Sequence, residues 1–381
     1  MPTPDRPLRI LYVNHLSAMS GAEKSLLRLL EGLDRQQVEP LFAAPEGPLT
    51  EAVRDLDIEC LTIPPLRPRR TRNPLRLLSL AWEGYQINAH LREIVRRKQV
   101  DLVHANSLVA GVIATGRPVG VPVIWHARDL RAPWATVRQV LSRVQGVVAI
   151  SQAVADWTVE IGPAALTKVI HNALGPEDRH LAHPRPKVRE QWEMAPHTPL
   201  LGCAGQLVPW KRQDLFLRVG AKVIAQLPEA RLVIIGSDLF NEHARYVQGL
   251  HDLAGELGIA EHVLWLGQSD DMPSALAALD VLVHTAEREP LGRVIMEAMA
   301  VGVPTVAFAE AGPAELIVDG DSGLLVAEGD ASAMAEAVVR VLTDHELALR
   351  LHDGALARAG DFSAAKQAAR VLELYHQVLG R

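Results

Sequence analysis

Two glutamates spaced eight positions apart are the residues of this chain best placed to do chemistry. Glu289 follows an apolar run, 280–284, that is typical of a buried strand, and Glu297 falls on the otherwise apolar face of the next predicted helix. That helix should end at Gly302, because glycine is common just beyond a helix C-terminus. A carboxylate on an apolar face is seldom mere surface decoration. The pair would supply acceptors for hydroxyl groups, such as those of sugar and ribose rings.

The turn between the two glutamates adds a site for anions. Pro290 and Gly292 turn the chain into the helix, so the N–H groups of Leu291, Gly292 and Arg293 stay free at its positive end. Helix N-termini bind phosphate for this reason. In the alternative, structural interpretation, Glu289 stabilises the helix start and Glu297 pairs with a neighbouring arginine. The residues alone favour neither interpretation.

The elements that must position these residues are alternating strands and helices, the pattern of open parallel sheets. The chain has 381 residues, which fits two domains. The proline-rich segment 173–187 is predicted to be a linker without secondary structure. The predicted strands are 8–13, 39–43, 58–63, 100–104, 121–126, 146–150 and 168–171 before it, and 200–204, 231–236, 262–266, 280–284 and 303–308 after it.

This pattern predicts the α/β fold class, with two Rossmann-like parallel-sheet domains over 1–172 and 188–361. Ligands of such sheets bind beyond the carboxyl ends of the strands, so the two domains are expected to face a cleft. The segment 362–379 is predicted to be a terminal helix.

Composition indicates a soluble globular protein, with 48% hydrophobic and 22% charged residues. No apolar run is long enough to cross a bilayer, and Arg9 interrupts the only short apolar segment near the N-terminus. We therefore expect neither a membrane span nor a signal peptide. Cys60 and Cys203 have no metal or redox spacing and are interpreted as core residues. The expected location is the cytoplasm, and no metal site is predicted.

Charge is divided unevenly along the chain. Residues 1–186 contain 23 lysines and arginines against 18 acidic residues, whereas residues 187–381 contain 16 against 27. Five of the arginines cluster in 64–76, next to leucines and a tryptophan. This combination suits an anionic membrane surface or a phosphate-bearing acceptor, although a solvated loop is the commoner explanation. Nucleic acid is not expected as a partner, because the whole chain is acidic and carries no nucleic-acid motif.

Candidate ligands of the first half follow its strands. Gly21, in the loop after the first strand, would let the backbone approach a diphosphate closely. No G-x-G-x-x-G is present, so a dinucleotide site has no support. An ordinary turn with Ser20 as helix N-cap is an equally good interpretation. His104 and His126 end successive strands and should point toward the ligand, although a lone histidine there is more often structural.

In the second half, Lys211 begins a helix after the strand 200–204, where its ammonium group could neutralise a diphosphate. Gly236 and Gly267 end two further strands and are predicted to form the walls of a base and ribose pocket. Glycine after a strand is common, so Gly236 and Gly267 are weak evidence for such a pocket.

The segment around the two glutamates resembles the E-x7-E motif of retaining nucleotide-sugar glycosyltransferases, in the form E-x-G followed by E-A-M-A. Glu289-Pro-Leu-Gly292 and Glu297-Ala-Met-Ala300 match that pattern. The resembled family is glycosyltransferase family 4, which has the GT-B fold, and the likeness covers nearly the whole chain. Ser20-Gly21-Ala-Glu23 stands where the family has G-G-x-E, with one glycine missing.

A second departure concerns phosphate binding. Gln206 stands where the family pattern G-R-x4-K has arginine, while Lys211 is kept. Glutamine cannot hold phosphate bidentately as arginine does. Either Arg212, Arg293 or the helix N-termini compensate, or diphosphate binding is weakened.

The resemblance implies a metal-independent, retaining hexosyltransferase without a cofactor. It would move a sugar from a nucleoside diphosphate, with UDP or GDP expected, to a hydroxyl acceptor. Glu289 would bind sugar hydroxyls, Glu297 the ribose, and Lys211 with the N–H groups around Gly292 the diphosphate. Family members are thought to use front-face attack, in which the leaving phosphate takes the acceptor proton, so no separate general base is named. The terminal helix would cross back to complete the first domain.

Candidate site residues follow from these arguments taken together. The catalytic candidates are His126, Lys211 and Glu289. The donor-binding candidates are Gly21, Gln206, Lys211, Arg212, Gly236, Gly267, Glu289, Pro290, Leu291, Gly292, Arg293 and Glu297. The acceptor-binding candidates are His15, Arg69, Arg70, Arg72, His104 and Arg128.

Three matters stay open on the sequence. A nucleotide-sugar 2-epimerase shares a related fold, although the E-x7-E form argues against it. A non-catalytic binding partner is suggested only by Gln206. The basic run points to a lipid-linked acceptor and to peripheral contact with the inner face of a membrane, while natural-product or small-polyol acceptors are equally compatible.

Overall fold

The protein folds into two compact units, each built on one parallel sheet. The computed structural model describes residues 6–66, 73–162, 166–239 and 241–381. The first unit comprises Met1–Ala173 together with Phe362–Arg381, and the second comprises Leu174–Asp361. The predicted fold class, α/β with two Rossmann-like parallel-sheet domains, is confirmed.

All strand pairs of the two sheets are parallel in the part of the chain that the structure describes. The first sheet has the order β3-β2-β1-β4-β5-β6-β7 and the second the order β10-β9-β8-β11-β12-β13. The strands are β1 (Leu8–Val13), β2 (Val38–Ala44), β3 (Glu59–Thr62), β4 (Leu102–Ala105), β5 (Val123–Ala127), β6 (Gly146–Ala149), β7 (Thr167–Val169), β8 (Leu200–Ala204), β9 (Arg231–Ile235), β10 (Val263–Gly267), β11 (Val281–His284), β12 (Thr305–Phe308) and β13 (Leu324–Val326).

Helices follow nearly every strand and cover the sheets. Both faces of a parallel sheet are therefore buried, and its strands are continuous apolar runs. The helices are α1 (Gly21–Glu31), α2 (Pro48–Arg54), α3 (Pro74–Lys98), α4 (Leu108–Thr115), α5 (Trp134–Leu141), α6 (Gln152–Ile161), α7 (Arg185–Gln191), α8 (Gln213–Ile224), α9 (Ala244–Glu256), α10 (Met272–Ala277), α11 (Arg293–Ala300), α12 (Ala311–Leu316), α13 (Ala331–Thr343), α14 (His345–Ala359) and α15 (Ala364–Leu379).

The terminal helix α15 forms part of the core of the first unit. Its residues Val371, Leu374 and Tyr375 are fully buried in the same cluster as β1 and α1. The approach is close at one point, since a Cβ added to Gly32 would lie 2.2 Å from the carbonyl oxygen of Ala364. The segment 362–381 therefore belongs to the first unit through packing, although 188 residues of the second unit precede it in the chain.

Two details differ from the sequence-based expectation. The strand β13 was not predicted, because its three residues are too short to show a period. The segment 173–187 was predicted to lack secondary structure, but it contains a 3-10 turn at Pro176–Asp178 and the start of α7 at Arg185. Proline is tolerated in the first helical turn, where the N–H it lacks would have no intrahelical acceptor.

Each sheet changes direction of strand order at one point. In the first sheet this point lies between β1 and β4, and in the second between β8 and β11. At such a point the loops after the two strands diverge and leave a crevice at their carboxyl ends, where ligands of open α/β sheets bind. The candidate residues are therefore best described around these two points.

Candidate functional site

The loops after β8 and β11 bring two of the catalytic candidates, Lys211 and Glu289, together at the switch point of the second sheet. The Lys211 ammonium group donates a hydrogen bond to Oε2 of Glu289 over 2.5 Å, although 78 positions separate the two residues. The lysine also lies over the Trp210 ring, 4.4 Å from its centroid. Both charged side chains are largely buried, with 17% and 9% of their surfaces exposed.

His284, the last residue of β11, completes this cluster. Its Nε2 lies 3.4 Å from the same Glu289 oxygen, longer than a normal hydrogen bond. Burial alone raises the pKa of Glu289, but the Lys211 charge and the His284 ring outweigh it and hold the pKa well below its usual range. Glu289 is therefore ionised at neutral pH and keeps the acceptor capacity that hydroxyl groups need.

The loop that carries Glu289 is fastened at three places. The Thr285 hydroxyl lies 3.1 Å from the carbonyl oxygen of Lys211 and 2.9 Å from that of Arg212. The N–H of Glu287 donates to the carbonyl of Trp210. On the other side, the N–H of Gly312 donates over 3.0 Å to the carbonyl of Glu289. These bonds hold the Glu289 carboxylate beside the Lys211 ammonium group.

Gly312 was not singled out from the sequence. A Cβ added there would lie 2.2 Å from Cα of Leu291, so only glycine lets α12 approach the loop this closely. A glycine at a helix start has many explanations, and the sequence carried no signal for this one.

The turn from Pro290 into α11 has the form expected of an anion site. Gly292 adopts a φ of +96°, in the left-handed region that glycine tolerates best. In the described part of the chain no hydrogen bond satisfies the N–H groups of Leu291, Gly292 and Arg293. Leu291 itself is buried, which anchors the turn. Three free donors thus stand at the positive end of the eight-residue helix α11.

Glu297 is held one turn further along by an arginine. Arg293 donates from Nε to Oε1 of Glu297 over 2.8 Å and from Nη2 to Oδ1 of Asp178 over 2.9 Å. All three side chains are nearly buried, and Nη1 of Arg293 has no hydrogen-bond partner among the described residues. Asp178 was missed because it lies in the segment interpreted as a linker.

The cations offered as substitutes for the missing family arginine are already engaged. Arg212 contacts Asp214 and Glu287, and Arg293 contacts the two carboxylates described above. The paired acids raise the pKa of Arg212 further above its ordinary value. The side chain of Gln206 makes no hydrogen bond to other described residues, and its carbonyl accepts one from Gln213. Compensation by Arg212 would therefore require an exchange of partners, whereas Arg293 keeps Nη1 without a partner among the described residues.

The glycine after β9 is required by a close contact at the sheet edge. Gly236 has a φ of +140°, and a Cβ there would lie 1.9 Å from the carbonyl oxygen of Gly205. Its N–H donates to the carbonyl of Gly267 over 2.7 Å. These contacts explain the glycine at 236 without a ligand, so its role in a nucleotide pocket stays a prediction, as does that of Gly267.

At the switch point of the first sheet, Arg128 is the centre of a buried polar network. Its guanidinium donates to Oδ1 of Asn106 over 2.8 Å, to Oδ1 of Asn172 over 2.9 Å and to the Ser25 hydroxyl over 3.1 Å. These partners come from the ends of different strands and from α1. Arg128, predicted to bind the acceptor, therefore has an evident structural role, and acceptor binding by it stays a prediction.

The loop after β1 is also tied into the fold. Ser20 is the N-cap of α1, and Glu23 accepts hydrogen bonds from its N–H and its hydroxyl. The structural interpretation of this loop is thus satisfied, and a role of Gly21 in diphosphate binding stays a prediction. His15 lies 3.0 Å from the Ser107 hydroxyl through Nδ1, at the switch point itself.

The two histidines predicted to point toward the ligand are instead fully buried within the first unit. His104 was predicted to bind the acceptor, but both of its ring nitrogens have protein partners: the Tyr375 hydroxyl at 2.6 Å and His126 at 3.1 Å. It therefore cannot contact the acceptor directly in this conformation, because the strand end lies beneath α15. His126 keeps one nitrogen, Nε2, without a hydrogen-bond partner among the described residues.

Three further predicted acceptor residues, Arg69, Arg70 and Arg72, lie outside the described residues. Within the described ranges no group of three histidine, cysteine, aspartate or glutamate side chains could hold a metal ion. In the same ranges no helix is long and apolar enough to cross a bilayer.

A parallel sheet with a lysine, a buried glutamate and free helix N–H groups at its switch point is an arrangement of the α/β class that suits an anionic ligand. Two family profiles identify the chain further: "Glycosyltransferase Family 4" matches residues 19–178 and "Glycosyl transferases group 1" matches residues 184–358. The chain belongs to the group 1 glycosyltransferases of the GT-B type.

Individual relatives agree with the family. The D-inositol 3-phosphate glycosyltransferase of Stackebrandtia nassauensis is 32% identical over 266 residues, which are 67% of this chain and 60% of that protein. The putative glycosyltransferase YtcC of Bacillus subtilis is 26% identical over 85% of this chain and 84% of its own length. Anabaena Alr3699/HepE, solved in complex with UDP-glucose, superimposes with a TM-score of 0.80 at 26% identity, over 97% of this chain and 100% of that one.

Proposed function

We propose that the protein is a retaining hexosyltransferase. It transfers a hexose-type sugar from a nucleoside diphosphate, with UDP or GDP the expected carrier, to a hydroxyl acceptor, without a metal ion or a cofactor. The observation that carries the proposal is the buried contact between Lys211 and Glu289 beside the free N–H groups of residues 291–293. That HepE was solved with UDP-glucose supports a nucleotide-sugar donor.

Each part of this cluster suits one part of such a donor. The N–H groups at the start of α11 and the Lys211 ammonium group match the two phosphates, whose charge grows as the sugar leaves. The Glu289 carboxylate matches hydroxyls of the transferred sugar, and Glu297 those of the ribose. In the first unit, His126 stays the candidate for contact with the transferred sugar, and Gly21 a candidate donor-binding residue.

The geometry gives no reason to name a separate general base. Glu289 lies in the turn that leads to the free N–H groups, and Lys211 neutralises it while its pKa is held low. A carboxylate with a depressed pKa is a weak proton acceptor. We propose that the leaving phosphate takes the acceptor proton while the acceptor attacks from the same face of the sugar.

Thermal unfolding in the presence of candidate donors tests the proposal. A ligand that binds only the folded state raises the melting temperature by mass action. UDP, GDP, ADP, dTDP and their common sugar conjugates are compared on the wild type, on Lys211→Ala and on Lys222→Ala, an exposed lysine of α8 that serves as the matched control. We expect one nucleotide series to raise the melting temperature of the wild type and the control but not of Lys211→Ala.

Incubation of the stabilising donor with and without alcohol acceptors then decides the reaction. Transfer with retained anomeric configuration supports the proposal. Isomerisation of the sugar without any acceptor would instead identify a 2-epimerase, and binding without turnover a non-catalytic partner. A protein that no nucleotide stabilises would contradict the proposal and implicate Gln206.

A membrane surface is the partner we propose for the first unit. Four large apolar side chains, Leu75, Leu78, Trp82 and Tyr85, are 75%, 68%, 60% and 40% exposed on α3. Their spacing of three, four and three places them on one face of the helix. Trp82 and Tyr85 stack with ring centroids 5.5 Å apart. Such a row, with both aromatic and aliphatic members, is typical of helices that lie in a lipid interface.

Charge favours an anionic bilayer over another protein as the occupant. The last turn of α3 contains Arg96, Arg97 and Lys98, and its first turn contains no acidic residue. The sequence just before the helix adds four more arginines in 67–72. Interfacial helices combine such cations with an apolar face. The acceptor class that fits this surface is a lipid-linked hydroxyl compound, and the location that fits is the inner face of a membrane.

Sedimentation with vesicles tests this second part. Trp82→Ala should lose most of the binding to vesicles rich in phosphatidylglycerol, while Trp134→Ala, which removes a tryptophan of equal exposure on α5, should not. Vesicles of phosphatidylcholine alone should bind the wild type weakly. Equal binding by both variants, or self-association that Trp82→Ala abolishes, would show that the face is not a membrane surface.

A further inference from the structure

A buried chain of polar groups leads from the terminal helix to His126. The Tyr375 hydroxyl of α15 lies 2.6 Å from Nδ1 of His104, and Nε2 of His104 lies 3.1 Å from Nδ1 of His126. The guanidinium Nη2 of Arg128 lies 3.1 Å from the same Nδ1. Nε2 of His126 is buried and has no hydrogen-bond partner among the described residues.

These contacts fix the positions of the protons. Arginine is always charged and can only donate, so Nδ1 of His126 must present its lone pair to Arg128. The single proton of a neutral His126 ring then sits on Nε2. His104 can bond to that lone pair only by donating from its own Nε2, which leaves its Nδ1 as an acceptor for the Tyr375 hydroxyl. The Tyr375 hydroxyl also lies 3.0 Å from that of Tyr12, and since it has one proton, which this arrangement directs to His104, the Tyr12 hydroxyl supplies the proton of that second contact. Every polar atom of the chain is thereby matched except the Nε2–H of His126.

Both rings are neutral in this environment. Burial lowers the pKa of His104 to about 3, with a smaller contribution from the Arg128 charge. Burial also lowers the pKa of His126 well below its usual range, and Arg128 and His104 act in the same direction. An imidazole that stays neutral from pH 5 to pH 8 cannot change roles within the physiological range.

We propose that Arg128, and through His104 also Tyr375, hold His126 in the tautomer with its proton on Nε2, which makes it a fixed hydrogen-bond donor to a hydroxyl oxygen of the sugar substrate and prevents it from acting as a base. Arg128, His104 and Tyr375 are positioning residues, because they act through His126. The identity of the oxygen rests on the proposed function, whereas the tautomer does not.

The unmatched N–H is the reason to expect a ligand. Buried polar groups in folded proteins nearly always have a partner, and a purely structural histidine would have one at each nitrogen. His104, the neighbouring ring, is such a case. Within this chain of polar groups, the Nε2–H of His126 is the one donor without an acceptor among the described residues.

Nitrogen NMR of the wild type with ring-labelled histidine tests the tautomer directly. The His126 signals are assigned by their absence in His126→Gln. We expect a protonated Nε2 and an unprotonated Nδ1, without change between pH 5 and pH 8. A proton on Nδ1, or titration of His126 in that range, would overturn the proposal whether or not the protein transfers sugar.

Two pairs of variants test the role. Glutamine places an amide N–H near the position of Nε2 and asparagine does not reach it, so His126→Gln should keep kcat/KM within about tenfold and His126→Asn should lose about 100-fold. Neither amide can titrate, so the two variants differ in whether an N–H reaches the position of Nε2. Equal losses in kcat/KM would therefore exclude the donor role.

The second pair separates positioning from mere packing. Tyr375→Phe removes the donor to His104, whose proton should then distribute over both nitrogens, and KM for the donor sugar should rise several-fold while kcat changes less. Tyr12→Phe removes the neighbouring hydroxyl, 3.0 Å from that of Tyr375, and should leave the histidine signals unchanged. Identical histidine signals in the two variants would reject the relay from Tyr375.

Discussion

The two switch points of the molecule differ in the kind of polar group that is buried there. Around His126 in the first unit the buried polar groups are neutral imidazoles, phenols and amides that contact one arginine. In the second unit they are ion pairs: Lys211 with Glu289, Arg293 with Glu297 and Asp178, and Arg212 with Glu287 and Asp214. Hydrogen positions are thus fixed in one unit, and charges are balanced in the other.

The difference shows which site must rearrange when a charged ligand arrives. A diphosphate competes with carboxylates for the same cations, and Lys211 has three donors, so it can contact Glu289 and a phosphate together. Arg212 is held by two acids and would have to exchange partners, whereas Arg293, also held by two acids, has only Nη1 left to offer. The neutral groups of the first unit have no such competition, which suits a fixed donor of hydrogen bonds.

Removal of the Glu289 charge should have the largest effect. Glu289→Gln keeps the shape but leaves Lys211 without its counter-charge in a nearly buried position. We expect kcat/KM to fall about 100- to 1,000-fold, since this group is expected to act on the transferred sugar. Loss of one partner of a buried pair should also lower the free energy of unfolding by about 3 kcal/mol.

Glu287→Gln is the matched control for stability in that experiment. Its contact with Arg212 is half exposed, and exposed pairs contribute at most about 1 kcal/mol. Chemical denaturation of the three proteins gives both values. An equal loss in the two variants would show that the buried pair has no special weight, and full turnover by Glu289→Gln would refute the proposed role of this residue.

The pair between Arg293 and Glu297 should show the next largest effect. A double-mutant cycle with Arg293→Met and Glu297→Gln should give a coupling of about 1–3 kcal/mol, because both side chains are only 13% exposed. The exposed pair of Arg358 and Asp361 in the same unit is the control, with an expected coupling below about 1 kcal/mol. Equal couplings would mean that burial does not distinguish the two pairs.

The sequence alone predicted the parts of this comparison that depend on local patterns. Twelve of the strands in the two sheets and the helix after Glu289 follow from apolar periodicity and from strand-end glycines, whereas a shared role of Lys211 and the turn around Gly292 was implied only by the family resemblance. Parallel sheets bring the ends of their strands to one edge, so residues 78 positions apart in sequence become neighbours without any local signal.

What the sequence could not predict are the partners that cross the fold. Asp178 lay in a proline-rich segment and carried no sign that Arg293 would contact it. His104 looked like a ligand-facing residue because its strand ends there, and only the packing of α15, more than 250 positions away, shows that it is covered. Gly312 is explained by a distance to Leu291 that no spacing encodes.

Acid should weaken the first unit through its neutral histidines. Both pKa values are lowered in the folded state, so an unfolded chain binds protons at His104 and His126 below their ordinary pKa of about 6.5, while the folded chain does not until the pH falls toward about 3 for His104. Their stabilising contribution is therefore complete above pH 6.5 and decreases as the pH falls, by roughly 1 kcal/mol per pH unit for each ring.

Chemical denaturation between pH 7 and pH 5 measures how steeply the free energy of unfolding falls with pH. This slope should become shallower in His104→Gln and stay unchanged in His90→Gln, which alters an exposed histidine of α3. The same slope in all three proteins would show that His104 takes up a proton without unfolding, contrary to its buried position.

The smallest effect is expected where the second unit lacks a cation. Gln206 follows β8 at the switch point, its side chain is half-buried, and it makes no hydrogen bond to other described residues. Gln206→Arg would add the one guanidinium group at this edge that no acid already engages, so a nucleoside diphosphate should bind about three- to tenfold more tightly, as one more charge-assisted hydrogen bond allows. Gln226→Arg, the same change at an exposed helix end, controls for net charge, and calorimetric titration with UDP and GDP measures both. A gain restricted to position 206 would mean that the diphosphate keeps oxygen atoms that Lys211 and the N–H groups of α11 do not contact. A loss there would mean instead that Gln206 itself contacts the ligand, so that the second unit uses a neutral group where the family pattern has arginine.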